Sequence, residues 1–138
     1  MAEISSAIVC DFAQVRDNLL FVVAGGITRV YRPNLPAQLG LCLALIVEVP
    51  SDERGQVHEI VAACKHSQTA EELFRIVGAA QAHDLGDLEP GESQFLPLAV
   101  DLRSVGAARY GSYDVHTSVD GQPGPLLTFY VKDKPTSG

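Results

Sequence analysis

At 138 residues the chain has the length of a single domain. Apolar residues make up 46% and charged residues 20%, a balance foreign to disordered, collagen-like or coiled-coil chains. Ten Lys and Arg against seventeen Asp and Glu leave a charge of −7, which repels phosphate backbones and anionic lipids. Neither nucleic acid nor a membrane surface is therefore expected as a partner.

Period-two alternation dominates the chain. Ile4–Val15 and Leu19–Val30 are rich in β-branched residues and joined by Arg16-Asp17-Asn18, which reads as a hairpin connection. Gly25-Gly26 interrupts the second run, the sign of a bulge or bend that lets a strand cross between two sheets. Pro33 and Pro36 close the segment, since neither can donate to a ladder. From Leu39 to Val49 one parity is an unbroken stripe of Leu and Val, and the other runs Gly40, Cys42, Ala44, Ile46 before turning polar at Glu48. Such a strand is expected to be covered on both faces, within the domain or by a partner chain.

Ser51–Gly55 reads as a polar turn and Gln56–His66 as the next strand. Residues 70–82 are ambiguous. Thr69-Ala70-Glu71-Glu72 fits a helix capping box and Leu73, Ile76, Val77, Ala80 fit helical spacing, while an extra strand there would complete a sheet. Gln94–Leu102 alternates, with Pro97 arguing for an edge or bulge position. Tyr113, Val115, Thr117 and Val119 form one face of a further strand and Ser112, Asp114, His116 and Ser118 the other. Asp120-Gly121 opens a turn, Leu126–Val131 is the last strand, and Lys132–Gly138 reads as a frayed polar tail.

About eight short strands with Gly/Pro turns point to an all-β domain over residues 1–131, a two-sheet antiparallel sandwich, with a small closed barrel as the alternative. Cys10, Cys42 and Cys64 cannot all pair within one chain, no two stand at metal-finger spacing, and the opening lacks a secretory pattern. A cytoplasmic protein with reduced thiols and no cofactor is the expectation.

The segments Ala7–Val15 and Asn18–Ile27, the strand with His58 after Gly55, and Gly111–Gly121 resemble a small uncharacterised bacterial family. Its members open on Ala-Asp-x-Ala and close on a Gly-x-Tyr strand running into Asp-Gly. This chain departs from the pattern at Cys10 and at the doubled Gly25-Gly26. The resemblance implies an immunoglobulin-like sandwich with residues 71–82 as a strand, and it implies no activity.

Several constellations invite chemistry. His58, Cys64 and His66 share one parity of a strand, and Cys64 and His66 stand ~6.5–7 Å apart along it, within reach of one metal ion. No third and fourth ligand lies nearby, so a small buried cysteine beside a strand-end histidine is the plainer reading. Asp114, His116 and Ser118 are the residue types of a hydrolase triad, yet a straight row on one strand face does not converge. Gly106–Gly111 lacks the Lys-Ser/Thr and the helix of a phosphate loop and reads as a connection. Tyr113 fits a tyrosine-corner role, with its ring inside and its hydroxyl on nearby backbone. Asp84–Glu89 is acidic without calcium-loop spacing, in the kind of loop where binding sits.

The functional expectation is a non-enzymatic protein-binding or assembly module. The alternative is a metal-dependent or small-molecule-binding enzyme using His58, Cys64 and His66. Self-association is expected through an apolar second sheet face carrying Val22, Cys42, Ala44 and Ile46, as a dimer or a larger assembly. The competing account has another part of the chain, such as Gly78–Gln94, folding over that face.

Overall fold

A computed structural model describes residues 1–133 and shows an all-β protein of two facing, curled sheets. The strands are β1 (Glu3–Arg16), β2 (Leu19–Gly25), β3 (Arg29–Tyr31), β4 (Ala37–Gln38), β5 (Cys42–Val49), β6 (Val57–His66), β7 (Glu72–Gln81), β8 (Gln94–Asp101), β9 (Gly106–Ala107), β10 (Gly111–Val119) and β11 (Gln122–Lys132). One sheet has the order β2-β1-β5-β8, the other β3-β11-β10-β6-β7, and β4 pairs with β9. Sequence reasoning missed the short strands β4 and β9, which offer too few residues for alternation to register, whereas β3 overlaps the end of the expected Leu19–Val30 run, beyond its Gly25-Gly26 break. One pairing, β3 with β11, is parallel where an antiparallel sandwich was expected.

Residues 72–81 form a strand, paired antiparallel with β6. The helical signals there are local, and the ladder to β6 overrides them. Lys132, expected in the tail, belongs to β11 and pairs with Tyr31; residues 134–138 of the expected tail lie outside the described residues. Pro97 sits on the edge strand β8, as its missing donor requires. The Gly25-Gly26 break does carry the chain from one sheet to the other. Gly26 has φ +86°, the amides of Gly26 and Ile27 both donate to the Val9 carbonyl, and β3 then joins the second sheet.

The main core lies between the sheets. β5 contributes Leu43, Leu45, Val47 and Val49, β10 contributes Tyr113, Val115 and Val119, and β11 contributes Phe129 and Val131, all fully buried. Leu39 and Leu41 are buried too, but Gly40, at φ +68°, keeps them out of the strand.

β1 serves two ladders. Up to Cys10 it pairs with β5; from Cys10 onward it pairs with β2, and Cys10 itself stands opposite both Cys42 and Gly25. The turn to β2 uses Asp17 and Asn18 at φ +52° and +58°, the left-handed pair of a tight hairpin. Released from β5, the β1–β2 hairpin curls back over the outside of its own sheet. Its Leu20 lines a recess with Ile46 of β5 and with Phe95 and Pro97 of β8.

Candidate interaction surface

Under that hairpin lies a second, small core. Cys10, Ala13, Cys42 and Ala44 are all buried, with Ile8, Phe12 and Leu20 packed against them. Of the four residues expected at an interface, Cys42 and Ala44 are thus 2% and 1% exposed, covered by their own chain. The cover is the hairpin rather than Gly78–Gln94. Ile46 is half-buried at the recess, and Val22 is exposed on β2. Burial pushes the Cys10 thiol up, with smaller contributions from Cys42 and Asp11, so it stays protonated.

What the fold leaves outside is β2 itself. Leu20 faces the small core, so Leu19, Phe21 and Val23, of opposite parity, face away from it. They are 62%, 49% and 54% exposed. β2 is also an edge strand and carries neither charge nor proline. The other edges are guarded: β8 holds Pro97, β7 holds Glu72 and Arg75, and β3 is three residues long.

The metal constellation does not assemble. His58 and His66 stand at opposite ends of β6, roughly 26 Å apart along an extended strand. At His66 both ring nitrogens are engaged, Nδ1 accepting from the Thr69 amide at 3.2 Å and Nε2 donating to the Tyr110 carbonyl at 2.9 Å. Cys64 is fully buried, and burial, then the Asp114 charge, pushes its thiol up to about 12, far from a thiolate ligand. Among the described residues no three His, Cys, Asp or Glu come together as a metal site.

His58 has a role that sequence reasoning missed. Its Nδ1 lies 2.6 Å from Asp120 Oδ2, and Asp120 Oδ1 accepts the Glu59 amide at 2.8 Å. The His58 contact, then the Glu59 amide, hold the Asp120 carboxyl below its usual range. The pair clamps the β10–β11 turn onto β6. Sixty-two residues separate its members, so only the Asp-Gly turn was visible in advance.

The row Asp114, His116, Ser118 makes no triad. Asp114 accepts hydrogen bonds from Ser67 and Thr128, and His116 points to solvent. Tyr113 does act as a corner. Its buried ring stacks on Phe129 with centroids 5.5 Å apart, and its hydroxyl donates to the Arg109 carbonyl at 2.7 Å. Gly106–Ala107 pairs with β4, in keeping with a connection. An apolar slot of about 370 Å³ opens between β7 and β8 over Leu45, Ile60 and Ala62. Its one charged lining residue, Asp101, is tied to Arg103, which holds its carboxyl down at about 2. That slot lacks the converging polar groups of a substrate site.

A family model described as a family of unknown function (DUF6941) matches residues 5–132. The chain belongs to this family. No curated protein matches it. Membership is consistent with the resemblance to an uncharacterised family and supplies no activity. Among the described residues of this family member, no helix is long and apolar enough to cross a membrane.

Proposed function

We propose that the chain is a non-enzymatic assembly module that pairs with a second copy of itself along the free edge of β2. One observation supports this above the others: β2 is the sole edge with exposed Leu19, Phe21 and Val23 and no guarding charge or proline, among the described residues. A strand of this kind offers unpaired backbone donors and acceptors together with an apolar stripe, and another copy meets both needs at once. Two-fold antiparallel pairing is the closed arrangement. It sets one uncharged strand against another, so the repulsion between two chains of charge −7 stays away from the contact. Val22 lies within this edge, whereas Cys42 and Ala44 act only indirectly, by letting the hairpin pack closely.

Light scattering at tens of micromolar tests the proposal. The wild type should show about twice the 14.7 kDa chain mass. Val23→Lys should give a folded monomer, with stability changed by no more than about 0.5 kcal/mol because the site is exposed. A wild type at the single-chain mass overturns the reading.

A further inference from the structure

Cys10 and Cys42 stand directly opposite each other on the antiparallel strands β1 and β5. Their side chains share the outer face of that sheet and lie together in the small core under the hairpin. The Gly26 and Ile27 amides take up the Val9 carbonyl on the β2 side, so Cys10, the next residue, turns its own N–H and carbonyl toward Cys42. The Cα atoms of such a hydrogen-bonded pair lie about 5.5 Å apart, within the span of a disulfide. Cys10 Sγ donates to the Cys42 carbonyl at 3.5 Å. On its other side Cys10 faces Gly25, which offers no side chain, so the partner its sulfur meets across a ladder is Cys42. The third cysteine, Cys64, lies in the main core on the opposite sheet.

Two features bear on how such a bond would behave. Cβ atoms of directly opposed strand residues stand about 4.5–5.5 Å apart, against about 3.5–4.5 Å in a disulfide. Closing the bond therefore draws β1 toward β5 at the residue where β1 leaves it for β2, and a bond closed at that cost is readily reopened by thiols. The second feature is the cover. Cys10 and Cys42 are 0% and 2% exposed, and what lies between them and water is the hairpin. β2 pairs with β1 alone and meets the small core through Leu20. Lifting this edge leaves the ladders of the main core in place and uncovers both thiols together.

We propose that Cys10 and Cys42 are a redox pair, closed to a cross-strand disulfide by a small-molecule disulfide that enters when the hairpin lifts. One cysteine attacks the small disulfide as a thiolate, forming a mixed disulfide and releasing one thiol. The other cysteine then displaces the second thiol. The two cysteines give up two electrons and two protons, and the S–S bond of the small disulfide is reduced to two thiols that carry those protons. The pair stands apart from the pairing of β2 with a second copy and does not depend on it.

The test treats the full chain with glutathione disulfide, blocks the remaining thiols with iodoacetamide in denaturant and weighs the intact chain. The reduced protein carries three thiols. The product should carry one, on Cys64, contain no glutathione and no link between chains, and return to three with dithiothreitol. Proteolysis of the oxidised wild type should yield a joined pair of fragments holding Cys10 and Cys42, a readout that needs no variant. Cys64→Ala should oxidise as the wild type does, and Cys42→Ala should lose the internal bond. Leu20→Ala removes the side chain that seats the hairpin and should speed closure by about tenfold. Four outcomes overturn the proposal: three thiols surviving conditions that oxidise the urea-unfolded chain, a bond that includes Cys64, a lasting glutathione adduct in place of the internal bond, or an unchanged rate in Leu20→Ala.

Discussion

The main core between the sheets and the small core under the β1–β2 hairpin are built from different side chains. The first is filled by Leu43, Leu45, Val47, Phe129 and the Tyr113 ring, which span the gap between two sheets. The second rests on two cysteines and two alanines. Facing sheets stand about 10 Å apart and need long side chains to meet. The hairpin is continuous with β1, whose ladder partner β5 it covers, and lies close, so the face beneath it carries small residues against which Ile8, Phe12 and Leu20 pack. An apolar face of small residues can therefore be covered by its own chain, and its composition does not say by what.

The largest way to break this comparison is to empty the main core. Phe129→Ala removes a fully buried ring from beside Tyr113 and should cost about 3–5 kcal/mol in denaturant unfolding, across the whole domain. A loss below about 1 kcal/mol would mean that this core does not carry the fold.

Overfilling the small core sharpens the comparison. Ala44→Leu should cost about 1–3 kcal/mol. Hydrogen exchange should speed up mainly over residues 11–25, with β10 and β11 still protected, because the added volume lifts the hairpin. Uniform acceleration through the chain would show the two cores to be one cooperative unit.

The smallest effect is electrostatic and lies outside both cores. Asp120 is held below its usual range by His58, so its contribution to stability is present above the unfolded carboxylate value of about 3.9 and fades as pH falls through the lower folded value. Asp120→Asn should therefore be less stable than wild type at neutral pH and converge with it in acid. A difference that persists unchanged at pH 2 would assign the effect to packing instead.

Much of the fold was legible because alternation and turn chemistry are local. The parity of Tyr113, Val115, Thr117 and Val119 marks the buried face of β10 directly, and each is buried. Pro97 announces an edge because its ring nitrogen cannot donate. The same locality explains the ambiguity at residues 72–81, where short-range helical signals compete with a ladder to β6 that no local window contains. It also explains why the pairing of His58 with Asp120 went unseen, since its meaning lies in a neighbour brought from elsewhere in the chain.

The sequence by itself determined the all-β class, the inward parity of the long strands, the hairpin turn at Asp17-Asn18 and the crossing at Gly25-Gly26, since backbone sterics and period-two burial act within a few residues. Only the tertiary structure decided what covers the second face of β5. β1 changes partners at Cys10, and the hairpin that follows can turn toward its own sheet or away from it. Nothing in the alternation of residues 11–25 encodes that direction. The curl of the sheet sets it, burying Cys42 and Ala44 and leaving Leu19, Phe21 and Val23 in water.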